Sequence, residues 1–112
     1  MKRSMALLPQ ISFSILMALS LKPRHGYEIM KQVKEDSLDR IKLGPGSLYT
    51  AVKQLTEDGL IEEVEGEDSR RRYYRLTKKG WEKLNSELEY FENTLKLAKQ
   101  RKAFEATMGT IA

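Results

Sequence analysis

Apolar residues recur every three or four positions through the first half of the chain, and this spacing predicts three amphipathic helices. The first covers roughly residues 9–21, the second runs from about Gly26 to Asp36, and the third extends from Pro45 to near Gly59. Gly59 suits the position that follows a helix C-terminus. The apolar face of the first helix comprises Leu8, Ile11, Ile15 and Leu19, and that of the second comprises Tyr27, Ile29, Met30 and Val33.

The third helix has two contrasting faces. Leu48, Val52 and Leu55 form its apolar face. Gly44 and Pro45 fit its N-cap and N1 positions, where the N–H that proline lacks would have had no partner. The other face carries hydroxyls, an amide and one cation: Ser47, Tyr49, Thr50, Lys53 and Gln54. A solvated face is usually richer in Glu and Lys, whereas short donors near a helix N-terminus suit phosphates and base edges, so this face is a candidate nucleic-acid contact.

Two short strands are predicted after the third helix. Residues 60–65 and 71–76 have strand patterns, and residues 66–69 have the composition of a turn. Three consecutive arginines in this hairpin are candidates for phosphate contact: Arg70, Arg71 and Arg72. An alternative stays open, because the acidic turn residues Glu67 and Asp68 would repel DNA. On that alternative, Glu62, Glu63 and Glu65 pair across the hairpin with Arg70, Arg72 and Arg75.

A long last helix is predicted from Thr77, a competent N-cap, to about Phe104. Its apolar positions follow heptad spacing through Trp81, Leu84, Leu88, Phe91, Leu95 and Ala98. At 1.5 Å per residue a helix of some 25 residues is about 37 Å long. The rest of the domain is too small to cover it, so we predict that it pairs with a second copy. The alternative is that only its first part packs on the chain's own core. The predicted dimerisation residues are Leu8, Ile11, Leu84, Leu88, Phe91 and Leu95.

Composition narrows the class of protein. The chain has 112 residues, enough for one domain with a modest core. It has no cysteine and a single histidine, His25, so no metal site or cofactor is expected. His25 is predicted to cap or pack at the start of the second helix. The acidic residues lack a partner at a spacing suited to acid–base chemistry, and we therefore expect that the protein is not an enzyme.

The N-terminal apolar run superficially resembles a secretory signal. Pro9, Gln10, Ser12 and Ser14 interrupt it, which favours a core helix. No segment reaches the roughly 18 apolar residues that a membrane span requires. We therefore expect a cytoplasmic protein without a membrane partner.

Charge is distributed unevenly along the chain, although the formal net charge is only +4. Residues 57–68 contain seven acids and no base, whereas residues 69–83 contain seven bases and one acid. This pattern indicates either a basic surface or two neighbouring strands that neutralise each other.

Three helices followed by a hairpin match the winged helix-turn-helix plan, a mostly α fold with a two-stranded β-hairpin (α+β). In this plan the third helix enters the major groove, and the hairpin lies against the flanking phosphates or in the minor groove. We assign residues 1–76 to a DNA-binding domain, 77–104 to a dimerisation helix and 105–112 to a flexible tail. The expected DNA-binding residues are Pro45, Gly46, Ser47, Tyr49, Thr50, Lys53, Gln54, Arg70, Arg71, Arg72 and Lys78.

Four segments resemble the PadR family of bacterial transcriptional regulators: residues 25–29, 44–49, 55–61 and 72–80, in the family's order and spacing. The resemblance implies a homodimeric winged-helix regulator, usually a repressor, that binds a pseudo-palindromic double-stranded DNA operator. Gly44 stands where the family often has Ser, and Thr50 where it often has Pro.

The single C-terminal helix resembles the smaller branch of the family. In that branch this helix makes the dimer, and some members bind flat aromatic compounds at the dimer centre. Trp81, Tyr90 and Phe91 are candidates for lining a pocket for a small aromatic effector, and the alternative is that they pack in the seam. Drug-sensing relatives carry a Trp near the middle of this helix, whereas the sole Trp here lies near its start, which argues against a planar ligand. A protein-interaction module with little DNA affinity is the alternative function. DNA binding would be favoured over this alternative if Lys53, residues 70–72 and Lys78 lay on one continuous face with Tyr49.

Overall fold

Four helices and a small antiparallel sheet make up residues 6–101, the part of the chain that the computed structural model describes. The elements in chain order are α1 (Gln10–Leu19), β1 (Arg24–His25), α2 (Gly26–Asp36), α3 (Pro45–Glu57), β2 (Ile61–Val64), β3 (Tyr73–Leu76) and α4 (Lys78–Gln100). The predicted winged-helix fold with a long C-terminal helix is confirmed. The tail expected at 105–112 and the predicted end of the last helix near Phe104 lie outside the described residues.

The sheet has β3 at its centre, with the strand order β1-β3-β2 and antiparallel pairing throughout. The register pairs Ile61 with Leu76 and Val64 with Tyr73, which makes the predicted hairpin. The strand β1 was not predicted, because a strand of two residues is too short to show an alternating pattern. Its pairing of Arg24 with Tyr74 fixes the start of α2 against the hairpin.

The start of α4 is anchored to the turn that ends α3. Gly59 follows the end of α3 with φ of +76°, the left-handed conformation expected of a glycine in this position. The Thr77 hydroxyl donates to the Gly59 carbonyl at 2.6 Å and accepts the N–H of Gly80 at 3.0 Å, so Thr77 is the predicted N-cap. One hydroxyl therefore joins the turn after α3 to the first turn of α4.

All four helices and the sheet contribute to one core. Its fully buried side chains include Ile15 and Leu16 of α1, Ile29 of α2, and Leu55 of α3. The prediction that Tyr27 belongs to the apolar face of α2 is wrong, since its side chain is 64% exposed. Two positions along a helix turn the side chain by about 200°. Tyr27 therefore points away from the core when Ile29 points into it.

Leu84 lies in the core of the monomer, 2% exposed, and this corrects its assignment to the dimer seam. A side chain already packed inside one protomer has no free surface for a second. The later seam positions Leu88, Phe91 and Leu95 are each about two-fifths exposed. Phe91 also packs edge-on against Phe13 of α1, with ring centroids 5.3 Å apart.

Leu8 and Ile11, the other two predicted dimerisation residues, are partly buried against the core. Within residues 6–101, no helix is both long enough and apolar enough to cross a membrane.

Candidate nucleic-acid interface

The polar face of α3 is exposed as predicted. Leu48, Val52 and Leu55 are buried and hold the helix on the core. Tyr49 projects from the other side with 68% of its surface exposed. The neighbouring side chains Ser47, Thr50 and Lys53 are exposed as well. This face therefore offers a phenol, two hydroxyls and an ammonium group to a partner.

The N-terminus of α3 is open. Gly44 is the N-cap and Pro45 is the first helical residue, and no side chain caps the helix. A Cβ atom added at Gly46 would meet nothing within 4 Å. The first-turn N–H groups of an uncapped helix and its dipole attract anions, so this end of α3 suits a phosphate.

Gln54 differs from the other predicted contacts, because its amide is already engaged. Its Nε2 donates to the Asp58 carboxylate at 3.0 Å, near the C-terminal end of the helix. Gln54 lies seven residues, about 10 Å, along the helix from Ser47. It is exposed but stands at the far end of the polar face.

A cleft separates the N-terminal half of α3 from the wing, which we define as β2, β3 and the connecting residues 65–72. This α3–wing cleft has a volume of about 330 Å³. Its lining residues come from both sides: His25, Gly26, Pro45, Leu48, Tyr49, Val52, Arg71, Arg72 and Tyr74. The fold thus brings Tyr49 and two of the predicted arginines around one space. Arg70 and Lys78 are exposed but do not line it.

His25, Gly26 and Tyr74 line the cleft although the sequence analysis assigned none of them to the interface. Their placement depends on the pairing of β1 with β3, for which the sequence gives no local signal. His25 also caps α2, as predicted. Its Nδ1 accepts the N–H of Glu28 at 3.4 Å, and the Glu28 carboxylate accepts the N–H of His25 at 3.2 Å.

The wing arginines have different partners. Arg70 donates through Nε and a terminal nitrogen to the Asp68 carboxylate at 3.1 and 3.3 Å, and Nε of Arg71 lies 3.3 Å from the same carboxylate. These hydrogen bonds, chiefly those from Arg70, lower the pKa of Asp68 below its ordinary value. Arg72 is exposed, and its guanidinium has no hydrogen bond or ion pair among residues 6–101.

The cross-hairpin pairing predicted as the alternative is formed at one position. Nε of Arg75 donates to the Glu62 carboxylate at 2.8 Å. Glu63 and Glu65 are exposed, and neither pairs with Arg70 or Arg72 within the described part of the chain. The hairpin charges therefore neutralise each other only in part.

The aromatic residues predicted for an effector pocket are exposed on α4 but do not surround one space within a single chain. Tyr90 and Phe91 are in contact, with ring centroids 5.4 Å apart. Trp81 precedes Tyr90 by nine residues, about 13 Å along the helix. An open groove on α4 contains Leu88, Phe91 and Leu95 but neither Trp81 nor Tyr90. No group of His, Asp and Glu residues within 6–101 is arranged to hold a metal ion.

A small three-stranded sheet whose β2–β3 hairpin forms the wing, beside an exposed polar helix, defines a winged-helix protein of the kind that regulates transcription. The chain belongs to the PadR-like family of transcriptional regulators, whose family model matches residues 15–86. The resemblance noted in the sequence is thereby confirmed.

Several solved structures share the fold. A PadR family transcription regulator from Clostridium difficile is 30% identical, with 82% of this chain and 97% of that chain covered and a TM-score of 0.71. A transcriptional regulator from Clostridium thermocellum is also 30% identical, with coverage of 80% and 87% and a TM-score of 0.68. RosR from H. salinarum is 26% identical, with 92% of each chain covered and a TM-score of 0.70.

Among curated proteins, the chain is 41% identical over 73 residues to an uncharacterized 37.1 kDa protein in a transposon of Streptomyces fradiae. The match covers 65% of this chain, which spans only 20% of that protein.

Proposed function

We propose that this chain is a homodimeric, sequence-specific DNA-binding repressor that acts on a pseudo-palindromic operator. In this proposal α3 enters the major groove and the wing lies along the flanking backbone. The observation that carries it is the α3–wing cleft, where exposed Tyr49 and the guanidinium of Arg72 line one space. Tyr49, Ser47, Thr50 and Lys53 are assigned to the groove. Pro45 and Gly46 let the helix N-terminus approach a phosphate.

The dimer part of the proposal is supported by the apolar residues that α4 leaves exposed. Leu88, Phe91 and Leu95 recur at heptad spacing and would be covered by the same helix of a second copy. Two copies also provide two recognition helices, which a palindromic operator with half-sites about 34–36 Å apart requires. The same exposed helix, with Trp81, Tyr90 and Phe91, is where we place a small aromatic effector that relieves repression.

The experiment is a mobility shift with the DNA upstream of the chain's own coding sequence, with a shuffled duplex of equal length as the control. Saturable binding to the upstream DNA, weakened as salt increases, is expected. The slope of log K against log salt should be near −0.9 for each phosphate neutralised. If neither duplex is bound at low salt, the proposal is wrong.

The second candidate function is a protein-interaction module with little affinity for DNA. It is favoured by exposed acidic side chains on the wing, Glu63, Glu65 and Glu67, which DNA would repel. Equal weak binding to both duplexes, with no shift at physiological salt, would support this alternative.

A further inference from the structure

Three consecutive arginines on the wing differ in how free their charges are. Arg70 donates hydrogen bonds to the carboxylate of Asp68, and Arg71 forms an ion pair with the same carboxylate. Arg70 also donates its backbone N–H to that carboxylate at 3.0 Å. The guanidinium of Arg72 has no such partner among residues 6–101. Only Arg72 can therefore bind an anion without first giving up an acidic partner.

The turn that carries Asp68 is itself braced. The N–H of Asp68 donates to the Tyr73 hydroxyl at 3.4 Å, and its carbonyl accepts the N–H of Arg71 at 3.0 Å. A Cβ atom on Gly66 would lie within 2.4 Å of the Tyr73 ring, so the backbone packs directly on that ring. In this arrangement Asp68, Arg70 and Arg71 hold the shape of the turn.

Arg72 lines the α3–wing cleft opposite the recognition helix. Pro45 and Tyr49 belong to the α3 side, and Leu48 and Tyr74 add apolar surface. No acidic residue lines the cleft. An anion with an apolar body complements such a space, and the sugar-phosphate backbone of DNA has this character, with a charged phosphodiester beside a largely apolar deoxyribose.

We propose that the α3–wing cleft seats one phosphodiester and its deoxyribose in each operator half-site, with Arg72 as the phosphate ligand and Arg70 and Arg71 as braces of the wing. The inference rests on the proposed DNA-binding function and assigns separate roles to residues that the sequence treats alike. The Tyr49 hydroxyl is the second donor to the same phosphate. This contact fixes the register of α3 in the groove but does not depend on base sequence.

The test compares Arg72→Ala with Arg70→Ala, two changes that remove the same side chain from neighbouring positions of the same wing. Fluorescence anisotropy measures binding to the operator and to a shuffled duplex at several salt concentrations. Arg72→Ala should weaken binding to both duplexes by a similar factor, on the order of tenfold, and should reduce the salt slope by about 0.9 for each half-site. Arg70→Ala should change the affinity by less than about threefold and should leave the slope unchanged, because Arg70 does not line the cleft and Arg71 and Tyr73 still hold the turn through Asp68.

A second measurement locates the contact on the DNA. Phosphate ethylation interference should identify one position per half-site that blocks the wild-type protein and no longer matters for Arg72→Ala. Arg72→Lys should keep the salt slope but recover only part of the affinity, since lysine retains the charge and lacks the planar fork. Circular dichroism checks that each variant is folded.

Several outcomes would overturn the inference. If Arg70→Ala weakens DNA binding as much as Arg72→Ala does, then Arg70 also contacts the DNA in spite of its pairing with Asp68. A loss confined to the operator would make Arg72 a base-reading residue. If the wild type binds DNA and Arg72→Ala binds it equally well, Arg72 is not the phosphate ligand, but the proposed DNA-binding function stands. Absence of DNA binding by the wild type refutes both.

Discussion

The carboxylate of Glu87 accepts a hydrogen bond from the backbone N–H of Leu8 at 2.7 Å, across 79 positions of sequence. Glu87 is 2% exposed, and the Lys83 ammonium lies 3.3 Å from the same oxygen. Lys83 also donates to the Ala6 carbonyl at 2.9 Å. Two residues one turn apart on α4 therefore hold the segment that leads into α1.

Removal of the Glu87 carboxylate should destabilise the fold. Glu87→Ala leaves the Leu8 N–H and the Lys83 charge without their partner in a mostly buried site, and we expect a loss of about 1–3 kcal/mol in the free energy of unfolding. Urea denaturation measures it. Glu82→Ala is the matched control, because Glu82 is on the same helix, is exposed and has no ion pair among residues 6–101. It should stay within about 0.5 kcal/mol of wild type. Equal losses for the two variants would contradict a specific role for Glu87.

Gly46→Ala should separate stability from DNA binding. The added Cβ has no neighbour within 4 Å, and alanine stabilises a helix more than glycine does. The free energy of unfolding should therefore increase by about 0.4–1 kcal/mol. DNA affinity should nevertheless fall, because in the proposed complex the methyl group would lie between the helix N-terminus and a phosphate. Gly80→Ala is the contrast: its Cβ would lie 2.0 Å from the Leu60 carbonyl oxygen, and it should destabilise by about 1–3 kcal/mol. Unchanged or tighter DNA binding by Gly46→Ala would remove Gly46 from the interface.

The parts of the fold that could be predicted from the sequence depend on neighbouring residues. The bounds of α2 and the start of α3 follow from apolar spacing, a capping histidine and an N1 proline. The β1 strand could not be predicted, since its two residues become a strand only by pairing with β3. The different partners of Arg70 and Arg72 could not be predicted either, because the geometry of the turn decides which arginine reaches Asp68.

The heptad pattern of α4 shows a further limit. Spacing identifies Leu84 and Leu88 as members of one apolar stripe, but it does not say which partner covers each of them. In the structure Leu84 is buried by its own chain, while Leu88 is 39% exposed. The stripe therefore serves the monomer core at its beginning and is open to another molecule further along.

Tyr49→Ala should weaken operator binding without loss of the fold. Its side chain is 68% exposed, so truncation creates no cavity. One lost contact of this kind should weaken binding by roughly tenfold, equivalent to about 1.4 kcal/mol. The neighbouring Leu48→Ala is the contrast, since Leu48 is 8% exposed and its truncation should reduce the free energy of unfolding by about 2–5 kcal/mol. Titration by fluorescence anisotropy and thermal melting measure the two effects. An unfolded Tyr49→Ala protein would make Tyr49 a structural residue instead.

Acid should loosen the turn of the wing. Arg70, and to a lesser extent Arg71, lowers the pKa of Asp68, so the folded chain keeps this carboxylate charged at pH values where the unfolded chain is protonated. Its stabilising contribution is therefore present above the unfolded value, about 3.9, and is lost as the pH falls through the lower folded value. Carboxyl carbon shifts in an NMR titration should show Asp68 titrating below that value. Arg70→Ala should raise the pKa, while Arg72→Ala should not change it. A rise with Arg72→Ala instead would mean that the ion pairs of the wing are exchanged in solution.

If α4 forms the proposed dimer, Leu88→Lys should yield monomers. Leu88 is partly exposed in the single chain, so the monomer should accept a lysine there, whereas two lysines facing each other across a dimer seam would repel. Sedimentation equilibrium measures the mass. The control is Asn93→Lys, which adds the same charge to an exposed position on roughly the opposite face of α4 and should leave the dimer intact. Operator affinity should fall for Leu88→Lys only, because a monomer binds one half-site. A stable Leu88→Lys dimer would place the contact between copies on another surface.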